Sequence, residues 1–406
     1  MQFKDIVGQQ AVKQQLVDMV AGNRLSHALL FLGREGTGAL PLAIAFGSYI
    51  TLLPSKQPEE SSLFGEVAAL ETKLPETAEA ADAWLEKQPS FVKVSQLVHP
   101  DLHFSFPVVT KKSGSPPVSN DYIAEWRDFI KSYPYGNVYD WLQAIGAENK
   151  QGNITAQECN DIMRKLSLKP FESGYKVLIL WMPEYLGKEG NKLLKLIEEP
   201  PPDTLFILVA ESEAQILPTI LSRCQLVKVP AIDDAAVEEA LIKRAAATAN
   251  TAKQIASVAE GNYREALHLL QHADADYYAL LRDWLNASLR NNPAAQLKIV
   301  EEISRLGREN GKQFLRYFTH LIEQAIRLNI LEGAPRELFQ KAMTANEQDI
   351  ATRLNKTMTI EQQEAIATEL DNAAYYIERN ANAKLLFHAL SIKLFYIVKN
   401  NVVLHV

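Results

Sequence analysis

The chain has 406 residues, more than one hydrophobic core usually serves, so two or three domains are expected. Apolar residues make up 47% and charged residues 22% of it, which excludes wholesale disorder. The net charge of −7 carries no long block of one sign; it argues against a surface that grips nucleic acid all over and leaves a local basic strip open.

Along the chain, an amphipathic period from Gln9 to Ala21 predicts a helix, and the apolar run Ala28 to Leu32 predicts a buried strand. That strand ends on the turn Gly33-Arg-Glu-Gly36-Thr-Gly38, and a second helical period runs from Ala39 to Leu53. Residues 54–90 turn to Pro, Glu, Ala and Lys and are expected to form a helical surface insertion. Phe104 to Pro117 reads as a loop or edge hairpin tip, in which Lys111 and Lys112 are taken as solvated charges rather than DNA contacts. Further strands are predicted at Lys176 to Trp181, Thr204 to Ala210 and Gln225 to Val229. Helical spacing from Asn191 to Glu199 lies between the first two and stops at Pro200-Pro-Pro202. Strands alternating with helices predict an α/β domain over 1–229 with a mostly parallel sheet. Beyond it the period is helical, with breaks near Gly261 and around His272 to Ala275, so a small helical domain over 230–274 and a larger all-α domain over 275–406 are expected.

The two cysteines, Cys159 and Cys224, form no Cys-x-x-Cys pair, so no thiolate metal site is expected and the thiols suit a reducing cytosol. The start lacks a signal-peptide pattern, and no run approaches the roughly 18–20 apolar residues that span a bilayer, so a cytoplasmic, membrane-free location is expected.

Strand, glycine turn and helix are the setting of a phosphate loop. Such a loop needs backbone N–H groups to cradle phosphate, a lysine to neutralise it and a hydroxyl to ligate Mg²⁺. Gly33, Gly36 and Gly38 keep the turn, but Ala39 and Leu40 stand where the lysine and hydroxyl belong. The glycines alone also fit a tight strand–helix connection. A working site further needs an acid at the end of a neighbouring strand and a carboxylate to activate water. After Lys176 to Leu180 come Trp181 and Met182, both apolar; Glu184 follows Pro183 at the wrong offset and reads as a surface or helix-start residue. No cofactor and no metal are therefore expected.

Asn191-Lys-Leu-Leu-Lys-Leu-Ile-Glu-Glu-Pro-Pro201 and Leu217-Pro-Thr-Ile-Leu-Ser-Arg-Cys-Gln225 resemble the clamp-loader branch of the AAA+ ATPases, and within it the subunits of bacterial DNA polymerase III. Val7-Gly8-Gln9, Arg24 to Leu30, His99-Pro-Asp-Leu102 and Gly261-Asn-Tyr-Arg-Glu-Ala-Leu267 extend the similarity. The resemblance implies an AAA+ module, a helical lid and a C-terminal collar domain in a ring of subunits. Partners would be ATP-binding motor subunits of gamma/tau type and a delta subunit, with the sliding clamp and primed DNA met through the complex. It also implies that Arg223, in the Ser222-Arg223-Cys224 segment, reaches in trans into a neighbour's ATP site. Arg264 matches a lid arginine that touches phosphates in nucleotide-binding members; with no competent site here, packing or an interdomain ion pair is the expected role. Cys224 is expected to be a small apolar filler. His27 and His99 are expected to be structural. Family members usually carry a four-cysteine zinc module, which residues 54–90 replace. Two rivals stay open: a divergent but active ATPase, and an adaptor that keeps the AAA+ shape alone.

Overall fold

The structure, a computed structural model, describes residues 1–54, 74–111, 116–148, 150–271, 277–290, 293–331, 333, 336, 340, 343, 345–378 and 381–400. Most of the 54–90 insertion, Lys112 of the proposed loop tip and the break at His272 to Ala275 lie outside the described residues. The chain separates into two compact units, Met1–His268 and Leu269–Val406.

The first unit is built on a parallel sheet of β1 (Ala28–Leu32), β2 (Leu102–Ser105), β3 (Lys176–Trp181), β4 (Thr204–Ala210) and β5 (Gln225–Lys228), in the order β2-β3-β4-β1-β5. Every residue of β3 and β4 is buried, the pattern of a parallel strand covered on both faces. The register sets Leu29 beside Ile207 and Val177 beside Leu205 in the centre. Edge strand β2 takes in Phe104, where the stretch expected to be a loop or edge hairpin tip begins. It has only four residues, too few for an alternation to register in sequence, and it is held by β3 on one side only.

Helices α1 (Gln10–Ala21), α2 (Ala39–Thr51), α3 (Ala78–Leu85), α4 (Phe91–Ser95), α5 (Ile123–Ser132), α6 (Val138–Ala144) and α7 (Ala156–Ser167) surround the sheet. A 3₁₀ segment Pro183–Leu193, α8 (Leu194–Glu198) and α9 (Pro218–Leu221) complete the α/β part. All thirteen residues of α2 are buried, so this helix is core on every side. Phe106, Trp126, Phe129, Trp141 and Trp181 form an aromatic cluster, with Phe106 stacked on Trp126 at 4.1 Å. Then come α10 (Asp234–Ala245), α11 (Ala249–Ala259) and α12 (Tyr263–Gln271).

The second unit is helical throughout its described elements: α13 (Tyr277–Leu289), α14 (Pro293–Ser304), α15 (Gly307–Ile330), α16 (Ala345–Thr357), α17 (Ile360–Glu378) and α18 (Ala383–Asn400). Its core gathers Trp284 against Phe314, Phe318 and Phe387, and the Trp284 indole N–H donates to Ser391 Oγ at 2.8 Å. Among the described residues no helix is long and apolar enough to cross a membrane.

Candidate functional site

The glycine turn links β1 to α2, with Gly36 at φ +73° and Gly38 at φ +88°. Each glycine is required by what lies above it. A Cβ at Gly36 would sit 1.7 Å from Asn262 Oδ1, one at Gly38 would meet the Tyr135 ring at 3.1 Å, and one at Gly33 would meet Val229 at 2.9 Å. The turn is thus closely packed by side chains from elsewhere in the unit. A cavity of only about 30 Å³ remains, lined by the loop, Tyr135, Trp181, Met182 and Glu211. That is about one water's share of volume, against about 300–1,000 Å³ for ligand pockets. Ala39 and Leu40 are 8% and 5% exposed and belong to the main core.

At the end of β3, where a metal-binding acid would stand, Trp181 sinks into the aromatic cluster 5.2 Å from Trp126. Met182 follows at φ +58°, a left-handed conformation that costs a side-chain-bearing residue roughly 1–2 kcal/mol. The turn is held because Met182 N–H donates to Val209 O at 2.8 Å and Met182 O accepts from Tyr185 N–H at 3.0 Å. Glu184 lies in the first turn of the 3₁₀ segment, yet its carboxylate turns inward. Oε1 accepts from the N–H groups of Glu211 and Ser212, at 2.7 and 2.9 Å, and burial raises its pKa. It does not line the loop cavity. Among the described residues no group of three His, Cys, Asp or Glu side chains converges as a metal site.

Arg264 is engaged at every nitrogen. Arg264, 7% exposed, donates from Nε and Nη2 to the two Asp140 oxygens at 2.5 and 2.7 Å, and from Nη1 to Glu35 Oε1 at 3.0 Å. Asp140 is fixed by a capping box at the start of α6: its amide donates to Asn137 Oδ1 at 2.9 Å and its carboxylate accepts from Asn137 N–H at 3.1 Å. Asn137 Nδ2 also donates to Glu35 Oε2 at 3.1 Å. Tyr263 N–H donates to Gly36 O at 3.0 Å, so α12 bonds directly to the glycine turn. Gln9 joins the same assembly, donating to Thr37 O and Pro230 O. Glu35 and Asp140 escaped the sequence reading because their common partner, Arg264, lies 124 or more residues away, and Asn137 because it meets Glu35 across 102 residues. The one local signal was a carboxylate, Glu35, inside a turn that in a working site receives phosphate.

A wider open groove of about 810 Å³ lies between the N-terminal segment and α10, lined by Val7, Gly8, Gln9, Pro230, Ile232 and Arg244 among others. It shares no lining residue with the loop cavity.

Arg223 stands elsewhere, at the entry to edge strand β5. Ile216 and Ile220 anchor the preceding segment in the second apolar cluster, and Pro218 opens α9 at its first position. The helix stops at Leu221, and Arg223 leaves the core. Its side chain is 34% exposed and pairs with Glu198, while Nη1 donates to Thr219 O at 2.8 Å and Ser222 Oγ at 3.1 Å. Ser222 is exposed and donates to Thr219 O at 3.2 Å. Burial pushes the thiols of Cys159 and Cys224 up to about 11, which disfavours the thiolate at neutral pH. His99 is buried and accepts from Asp101 N–H at 3.2 Å, and burial lowers its pKa; His27 is exposed. Lys111 donates to Asp121 O and Glu125 Oε1, at 3.0 and 3.2 Å.

A parallel sheet with a strand–glycine-turn–helix unit and helices α10–α12 packed over that turn defines an α/β module with a phosphate-loop-like turn. Comparison with known proteins narrows this. The family described as DNA polymerase III, delta subunit, matches residues 69–233. DNA polymerase III subunit gamma of Buchnera aphidicola is 33% identical over 149 residues, 35% of this chain and 40% of that protein. DNA polymerase III subunit delta' of Bacillus subtilis is 25% identical over 238 residues, 58% of this chain and 52% of that protein. A gamma-subunit-related protein of Thermotoga maritima aligns over 94% of this chain and 98% of its own, with 13% identity and a TM-score of 0.37. These matches support a member of the clamp-loader family of DNA polymerase III subunits. It spans about half the length of these curated relatives, or less.

Proposed function

We propose that the chain is a non-hydrolysing structural subunit of a sliding-clamp loader in DNA replication, of delta-prime type, and that it donates Arg223 in trans to the ATP site of a neighbouring motor subunit. The observation that carries this reading is the occupied loop. Its cavity is about 30 Å³, Leu40 is in the core and Arg264 is already paired, which supports a loop that holds no phosphate of its own. Arg223, by contrast, is held only by groups at the surface. An exposed pair such as Arg223–Glu198 is worth about 0–1 kcal/mol. A γ-phosphate can therefore outcompete it, whereas a trans arginine accelerates phosphoryl transfer by about 10³–10⁵-fold.

In this reading residues 1–229 are the AAA+ module, 230–274 its lid and 275–406 a collar that joins the ring. Neighbours would be gamma/tau-type motor subunits and a delta subunit; the sliding clamp and primed DNA would be met through the assembly, in the cytoplasm. The chain alone would hold no cofactor. Calorimetric titration of the isolated chain with MgATP tests the spent site. No binding below millimolar concentration is expected, and a micromolar Kd would refute it.

A further inference from the structure

In a nucleotide-dependent lid, an arginine that faces phosphate has its charge met only when the ligand is present. Here that charge is met by the protein. Arg264 is 7% exposed, and its three nitrogens are taken by Asp140 and Glu35 at 2.5 to 3.0 Å. The two carboxylates come from the two sides of the turn: Glu35 from the glycine loop itself and Asp140 from the first turn of α6. Asn137 braces both, accepting from the Asp140 amide and donating to Glu35. The contact with Asp140 is bidentate, the geometry in which an arginine–carboxylate contact is strongest. It is also one in which removing a single partner is most damaging, since a buried charge is left unmatched.

Neutral contacts follow the ionic ones. Tyr263 N–H bonds Gly36 O, its ring meets Tyr135 edge-on at 4.9 Å, and Asn262 Oδ1 fills the place of a side chain on Gly36. Ile232 N–H donates to Gly261 O at 3.2 Å at the base of the lid.

We infer that Glu35 and Asp140 are a built-in anion: carboxylates standing in for nucleotide phosphate, which seat Arg264 and hold the lid helices closed over the glycine turn with no ligand bound. The lid of this chain is then a fixed part of the first unit, and its position is independent of the nucleotide state. The inference does not depend on any role of Arg223. It would hold equally if the trans arginine failed.

Hydrogen exchange on the full chain, read at α12 and at β3 and β4 with and without millimolar MgATP, tests it. In the natural protein the α12 amides should be protected, and MgATP should leave that protection unchanged. The double variant Glu35→Gln, Asp140→Asn keeps size and capping but removes both charges. It should exchange on the order of 100-fold faster at α12, with β3 and β4 still protected. Arg264→Lys, which keeps the charge but loses the fork, should fall between the two. A rise in α12 protection on adding MgATP, or a double variant as protected as the natural chain, would overturn the built-in anion.

Discussion

At position 39 a lysine would place an ammonium in a site that is 8% exposed and faces the main apolar core. Burying that charge without a partner costs several kcal/mol, and the 30 Å³ beside it offers no phosphate to repay any of it. Ala39→Lys should therefore lower the urea midpoint of the sheet-bearing unit, by roughly 2–4 kcal/mol in stability, and confer no ATP binding. Restored micromolar binding would mean that the missing lysine alone disables the loop. Position 39 also marks what sequence could and could not reveal. The loss of lysine and hydroxyl at Ala39 and Leu40 is legible by eye, because the glycine turn fixes the register. That their place has been taken up by core packing, and the lid charge by Glu35 and Asp140, depends on contacts between residues far apart in the chain.

Two elements carry consequences of their own. Helix α11 ends on Glu260, an exposed residue held at φ +48°, where glycine or asparagine is the comfortable choice. Glu260→Asn should stabilise the first unit by about 0.5–1 kcal/mol, seen as a higher denaturation midpoint; a loss would show that the glutamate side chain itself contributes. On edge strand β2, burial, with help from Lys165 and Lys176, pushes His103 down to about 4. Its folded pKa lies below the unfolded value near 6.5, so the unfolded chain takes up the proton first. Stability is then full above pH 6.5 and declines as pH falls towards 4, by on the order of 3 kcal/mol for this group. His103→Gln should flatten that limb of the stability–pH curve. The central strands were readable because β3 and β4 are uninterrupted apolar runs. Strand β2, four residues with a histidine inside, gives neither a run nor an alternation.

At the scale of the molecule the helical second unit is legible as helix, since its apolar period is plain, but its surfaces are not. Helix α18 turns Leu385, Ile392 and Tyr396 outward at 69%, 52% and 38% exposure, with exposed Ala389 between them. Spacing of four, three and four residues keeps them on one stripe, the pattern of a helix that meets another helix. In the proposed collar this stripe faces a neighbour, so Leu385→Glu with Ile392→Glu should reduce incorporation into a reconstituted loader while the chain's own unfolding midpoint stays within about 0.5 kcal/mol. Unchanged incorporation would remove the stripe from the interface.

The central claim is that this chain's chemical contribution lies in another subunit's site. The steady-state ATPase rate of a clamp loader reconstituted with Arg223→Ala in place of the natural chain measures it directly. The account predicts the same assembly, stoichiometry and nucleotide affinity, with the turnover attributable to the adjoining motor site reduced about 10³-fold or more. A correctly assembled complex whose rate is unchanged would contradict it.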